Sequence, residues 1–285
     1  MMLNTVTETL YQGYGQSFGV NQVLFETKTE HQHLQIIDTP FMGRVMLLDG
    51  VVQTTEKDEF IYHEMMVHVP LFAHPNPKKV LIIGGGDGGI LREVVRHKTI
   101  EQITQVEIDL SVIDLCKEYF PNHSKGAFDD PRVNIVIADG NDFVANCTEQ
   151  FDIIIADSTD PTGPAEVLFS SDFYRLEKNC LNQGGIMVAQ NGVPFMQGQE
   201  VTNTYQRLAK LYQDRYFYVA PVPTYVGGVM ALAWASDDLT LRQQSIETIQ
   251  TRITQAGFST KYYNAEVHQA AFALPNYIKE LMHHD

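Results

Sequence analysis

VLIIGGGDGG, residues 80–89, decides the fold. Val80, Leu81, Ile82 and Ile83 form a short apolar run rich in β-branched residues, the length of one fully buried strand. Gly84, Gly85 and Gly86 then permit a sharp turn and a close approach of backbone to ligand. After Gly89 the pattern becomes helical: Ile90, Leu91, Val94 and Val95 recur at helical spacing, with Arg92, Glu93 and Arg96 between them. Strand, glycine turn and helix open a nucleotide-binding α/β unit whose ligand sits at the strand's carboxyl end. Gly84, Gly86 and Gly89 satisfy the G-x-G-x-x-G fingerprint, a weak signal by itself. Asp87 is the unusual member of the turn. A helix N-terminus attracts anions, and a carboxylate planted there repels a phosphate, so the turn suits a neutral or cationic group. The plainer reading is that Asp87 caps the helix, and this stretch alone leaves both open.

Outward from this unit, strand and helix patterns alternate. Strands are expected at 103–108, 133–138, 151–156 and 186–189, helices at 110–119 and around 199–212, and further strands near 216–220 and 229–235. The alternation predicts an α/β fold, a Rossmann-like, mostly parallel sheet with helices on both faces. Toward the N-terminus, segments at 18–25, 34–37, 45–48 and 51–54 carry β-branched or aromatic residues separated by turn signals, which predicts a small antiparallel β-domain. Residues 56–72 read as a connecting helix, and the domains divide as 1–60 and 61–285. HEMMVH within that helix has one residue too many for a zinc H-E-x-x-H. His63 and His68 are five apart (68 − 63), roughly 140° around a helix, so they do not share a metal, and none is expected.

Composition narrows the partners. The formal charge of −15 argues against nucleic acid or an anionic membrane and fits a cationic substrate, although solubility alone accounts for many such charges. No secretory signal and no apolar run of transmembrane length is visible. Cys116, Cys147 and Cys180 are odd in number and widely spaced, as in reduced thiols of a cytoplasmic protein.

Each of the first four core strands delivers an acid at or just past its carboxyl end: Asp87, Glu107, Asp139 and Asp157. In an open parallel sheet those ends line one crevice, so the acids should converge. Glu107 follows Gly86 by 21 positions (107 − 86), near the spacing at which an acid takes the two hydroxyls of a ribose. Asp139 can accept from an exocyclic amine such as that of adenine, and Gly140 lets a base approach the backbone. A nucleoside is therefore expected, with something other than phosphate at Asp87. In DSTDPTGP, 157–164, two acids three apart suit a cation between them; the plain alternative is a proline-stiffened capping turn.

The chain resembles the spermidine synthases, aminopropyltransferases on a methyltransferase-type core, in their short bacterial form. GGGDGG at 84–89, Glu107, Asp139-Gly140, DSTDPTGP at 157–164 and PTYVGG at 223–228 match, as do 43–66 and 262–275, so the likeness spans nearly the whole chain. It implies transfer of the aminopropyl group of decarboxylated S-adenosylmethionine to putrescine, giving spermidine and methylthioadenosine. Decarboxylated S-adenosylmethionine is then a co-substrate and no cofactor is needed. It further implies that Gln32, Glu107, Asp139, Gly140 and Pro164 hold the thioadenosine part, that Asp87 binds the amine of the aminopropyl arm and that Asp157 is the proton acceptor. Tyr62, His63, Asp160, Gln190 and Tyr225 would line the diamine pocket together with Asp87 and Asp157. A homodimer or homotetramer is implied as well.

Three rivals stand beside this reading: a methyltransferase on the same core, a catalytically silent polyamine or nucleoside binder, and a nicotinamide dehydrogenase. Asp87 separates the first, because intact S-adenosylmethionine would bring its own carboxylate to that side chain. Two like charges about 4 Å apart at an effective dielectric near 20 repel by roughly 4 kcal/mol. Retention of the acids speaks against the silent binder, and the anion-repelling turn disfavours the dehydrogenase.

Overall fold

The computed structural model describes residues 4–8, 10–28, 32–158 and 167–283. The N-terminal part is antiparallel: β1 (Asn4–Thr7) pairs with β2 (Ser17–Val20), and β3 (Gln22–Lys28), β4 (His33–Thr39), β5 (Gly43–Leu48) and β6 (Val51–Thr55) form a meander in chain order. The single strand expected at 18–25 is two. Asn21 lies between them, with its N–H on Asp38 O and its side-chain amide on Asp38 Oδ2, and so β2 pairs with one neighbour and β3 with another. The connecting helix is α1 (Glu59–Ala73), which starts three residues later than its pattern suggested because Glu56–Asp58 form a turn.

The α/β core follows as β7 (Lys79–Gly84), α2 (Gly89–Val95), β8 (Gln102–Glu107), α3 (Leu110–Tyr119), α4 (Pro121–Ser124), β9 (Val133–Ile137), α5 (Gly140–Asn146) and β10 (Phe151–Asp157). It continues through α6 (Ser171–Asn179), β11 (Leu181–Gln190), α7 (Gly198–Ala209), β12 (Asp214–Ala220) and β13 (Met230–Ser236). Three helices close the chain, α8 (Ile246–Ala256), α9 (Ala265–Ala271) and α10 (Asn276–His283). The sheet order is β12-β13-β11-β10-β7-β8-β9, parallel except where β13 runs against both neighbours.

Strand alternation builds two apolar layers. Val80 and Ile82 of β7 face the layer under α1 and α2, whereas Leu81 and Ile83 face the layer under α6, α7 and α10. Both faces are covered, which is why this strand reads as an unbroken apolar run. α1 is buried along most of its length although it carries charges. Each charge has a fixed partner: Glu64 accepts the backbone N–H groups of Lys261, Tyr262 and Tyr263, all at 2.8 Å, which ties α1 to the segment before α9. His63 and His68, on different faces as their spacing predicted, contact different acids, His63 facing Glu59 and Asp87 and His68 facing Glu93.

Removing the Glu64 carboxylate strands three backbone donors at a buried junction. Glu64→Ala should cost about 3 kcal/mol, the order expected for losing buried charge-assisted hydrogen bonds. For a chain of this size that lowers Tm by roughly 6–12 °C. Thermal denaturation checks it, and an unchanged Tm would show that the junction carries no stability.

Candidate active site

The chain runs from β7 outward to β8 and β9, then returns to place β10 on the other side of β7. Ligands of open α/β sheets bind at such a reversal, outside the strands' carboxyl ends. A cavity of about 310 Å³ lies there. Gly84 and Gly85 have φ of +83° and +68°, the left-handed turn that stops β7 short of the cavity. Asp157 is the register partner of Gly84, so the last residue of β10 stands directly beside the glycine turn.

Asp87, Glu107, Asp139 and Asp157 all line this one cavity, as do Gln32, Gly140, Tyr62, His63, Gln190 and Tyr225. Asp160 and Pro164 lie outside the described residues. The acids differ in what compensates them. Enclosure in protein raises the Asp157 carboxyl to about 6; the Tyr62 hydroxyl, which donates to its Oδ1 at 2.5 Å, opposes the rise, and the negative charge of Asp87 adds to it. Burial raises Glu107 to about 7 against the backbone N–H of Asp109, which donates to its Oε1 at 3.0 Å. Asp139 spends Oδ1 on the N–H groups of Asn141 and Asp142, capping α5.

Both oxygens of Asp87 are engaged within the protein. Its Oδ1 accepts the N–H of Gly89 at 2.8 Å, a cap on the first turn of α2, while its Oδ2 faces His63 Nε2 at 3.2 Å. Burial would raise this carboxyl, but the charge and hydrogen bond of His63 hold it well below the usual range. The imidazole lies flat over the start of α2, where a Cβ on Gly89 would come within 2.2 Å of the ring. Gly86 is constrained likewise, since its Cβ would lie 2.8 Å from Glu107 Oε2. The repulsion expected between Asp87 and a donor carboxylate is therefore reduced, because the neighbouring imidazole offsets the Asp87 charge.

Other polar groups close the cavity. Tyr225 donates to Gln53 O at 2.7 Å and meets the Tyr62 ring edge-on at 5.7 Å. Gln190 donates to Ser158 O at 3.2 Å and accepts from the Gly192 N–H at 2.7 Å, bracing the exit of β10. Gln32 reaches Asp109 Oδ2 at 3.5 Å. Glu8, Tyr11 and Gln197, none of them anticipated, also line the wall. Glu8 accepts from the Val52 N–H and from Gln16, and the Tyr11 hydroxyl donates to Gln197 Oε1 at 3.1 Å. No motif marks these residues; the N-terminal segment brings in Glu8 and Tyr11, and Gln197 comes from the residue that precedes α7.

Residues 59–245 match the model of the spermine/spermidine synthase domain, and residues 5–56 that of the spermidine synthase tetramerisation domain. The chain is 60% identical over 271 residues to polyamine aminopropyltransferase 1 of Pseudomonas aeruginosa, covering 95% of both chains. It is 56% identical over 275 residues to the polyamine aminopropyltransferase of Serratia proteamaculans, covering 96% of both. Among crystal structures, a spermidine synthase in complex with the transition-state analogue AdoDATO superposes with a TM-score of 0.92 at 40% identity, over 98% of this chain and 94% of that one. The spermidine synthase of Thermotoga maritima superposes with a TM-score of 0.89 at 38% identity, over the same shares.

Because the Tyr62 hydroxyl stabilises ionised Asp157, Tyr62→Phe should move the titration of that carboxyl to higher pH, away from about 6. Carbon-detected NMR of labelled aspartate measures the midpoint directly. A midpoint that stays put or falls would contradict the hydrogen bond's assigned effect.

Proposed function

We propose a division of labour in the cavity from one premise, that this chain belongs to the spermine/spermidine synthase family. It is an aminopropyltransferase of polyamine synthesis. The acceptor in our reading is putrescine and the donor decarboxylated S-adenosylmethionine. The observation that carries the residue assignment is Asp157: an enclosed carboxyl raised to about 6, beside the glycine turn and across from two further acids.

A primary amine with a solution pKa of roughly 10 is almost wholly protonated at neutral pH and cannot attack. Asp157 takes its proton, and Tyr62 holds the carboxylate in place for that transfer. The freed nitrogen attacks the carbon attached to the sulfonium. The new C–N bond forms as the C–S bond breaks, its electron pair passes to sulfur, and neutral methylthioadenosine leaves. Glu107 takes the ribose hydroxyls, Asp139 and Gly140 the adenine, and Gln32 assists on the same side. Asp87 takes the ammonium of the aminopropyl arm. Tyr62, His63, Gln190 and Tyr225 enclose the acceptor, the aromatic faces covering its methylenes and favouring its charge. Alignment of nitrogen, carbon and sulfur supplies much of the remaining acceleration. Asp160 and Pro164 join this set by sequence position. The reaction so written calls for no metal and no cofactor.

Assembly through residues 5–56, as a homodimer or homotetramer, and a cytoplasmic location complete the reading. Product analysis by mass spectrometry, with the decarboxylated donor and a panel of diamines, tests the substrate assignment. Appearance of spermidine and methylthioadenosine from putrescine is expected; methylated products would overturn it.

Asp157→Asn should reduce turnover by roughly 10²–10⁴-fold, the usual worth of a positioned base. Binding of methylthioadenosine should change little. In the unaltered enzyme kcat/KM should fall as pH drops through about 6, because the protonated carboxyl cannot accept a proton. Near-normal turnover in the variant would remove Asp157 from the proton transfer.

A further inference from the structure

His63 is held between two carboxylates. Its Nδ1 lies 2.6 Å from Glu59 Oε2 and its Nε2 lies 3.2 Å from Asp87 Oδ2. A neutral imidazole has one N–H, so only the imidazolium donates to both acceptors. The residue is 3% exposed, which leaves the two carboxylates, and not bulk water, to set its charge. Burial alone would lower the imidazole; Asp87 and then Glu59 carry it up to about 10.

Glu59 is itself secured from behind. Arg92 Nη2 donates to Glu59 Oε2 at 2.8 Å and Nη1 to Oε1 at 3.1 Å, a two-pronged grip. Arg92 is fixed in turn through Nε to Glu93 Oε1 at 2.7 Å and through Nη1 to the backbone oxygen of His123 at 2.8 Å. Arg96 pairs with Glu93 at the protein surface. Charges thus alternate from the cavity wall outward: Asp87, His63, Glu59, Arg92, Glu93, Arg96. The remaining groups facing His63 are the Tyr62 ring at 5.6 Å and the His123 ring at 6.1 Å, the latter engaged with Thr54 Oγ1 at 3.0 Å, with the Asp157 charge beyond Tyr62.

We infer that Glu59 and Arg92 are positioning residues for the donor: through His63 they keep the Asp87 carboxylate ionised and aimed at the aminopropyl ammonium, although neither lines the cavity. The inference rests on the assignment of Asp87 to that ammonium. Its physical basis is the His63 ion pair, which Asp87 alone of three enclosed acids in one cavity makes among the described residues. Asp157 and Glu107, which make no ion pair among the described residues, are raised toward neutrality even with the His63 charge acting on Asp157 from a distance, whereas Asp87 is depressed. Take away the imidazolium, and burial leaves Asp87 in the position of the other two. A protonated Asp87 has no charge to offer an ammonium.

Glu59→Gln keeps the shape of the contact and removes its charge. In this variant the KM for decarboxylated S-adenosylmethionine at pH 6.5 should exceed that of the unaltered enzyme by up to about fourfold, the gap should widen toward lower pH, and the two should converge near pH 9 as Asp87 ionises again. The KM for putrescine should change much less. His63→Gln should reproduce the same pH dependence and make Glu59→Gln silent in its background, whereas a purely structural role for Glu59 would cost the same in either background. Nitrogen-15 NMR of the unaltered enzyme should find His63 doubly protonated at pH 8. A neutral ring there overturns the inference even if Glu59→Gln does not fold. Asp87→Asn separates the two levels of failure. If it leaves donor KM unchanged, the Asp87 assignment falls and this inference with it. If it weakens the donor while Glu59→Gln matches the unaltered enzyme at pH 6.5, only the roles of Glu59 and Arg92 fall.

Discussion

A carboxylate that loses water must gain a positive partner, gain hydrogen bonds or take up a proton, and the active site is built around that constraint. Strands β7, β8 and β10 bring three acids into one enclosed crevice, and β9 adds Asp139 at its rim. The protein compensates Asp87 permanently with an imidazole, and Asp139 with the N-terminus of α5. Asp157 and Glu107 receive only hydrogen bonds. The pair held by hydrogen bonds alone is assigned to a dissociating amine and a ribose, and Asp87 and Asp139 to the ammonium of the aminopropyl arm and the adenine.

The helix α1 makes the permanent compensation possible. A helix buried on nearly all sides would normally be apolar throughout. This one carries Tyr62, His63, Glu64 and His68 inward, and each is satisfied by a different part of the chain: β10, the glycine turn, the segment before α9, and α2. The apolar residues between them, Met65, Met66, Val67 and Val69, pack into the layer beneath the sheet. One helix therefore fixes Asp157, Asp87 and the C-terminal region relative to a common axis. Gly89 belongs to the same arrangement, since the imidazole occupies the space that any side chain there would fill.

Much of this was legible from residues 80–89 and the acids that follow successive strands, because a parallel sheet converts chain order into spatial convergence. The bounds of α3 were read correctly at 110–119, where Asp109 caps the helix and accepts from the Ser111 N–H. The break at Asn21 was missed because β-branched and aromatic residues stand on both sides of it, while the pairing partners change. The helices α4, α5, α6, α8, α9 and α10 went unassigned; α8 packs against α1 and α9, and α10 against α7, each burying only a narrow apolar stripe. Glu59 and Arg92 were invisible as functional residues for a different reason. Their effect depends on contacts between α1 and α2, which no spacing within either helix encodes.

The N-terminal domain is joined to the cavity more closely than its separate sheet suggests. Gln16 bridges Glu8 and the backbone oxygen of Thr224, and the Thr224 N–H in turn donates to Asp58 Oδ2 at 2.7 Å. Glu8 and Gln53 stand in the wall beside residues of the core. The first sixty residues are thus no exchangeable module. A chimaera that grafted a relative's N-terminal domain onto this core would inherit that relative's part of the cavity wall, and a fragment beginning at α1 would keep the glycine turn and Asp157 but open the cavity to water.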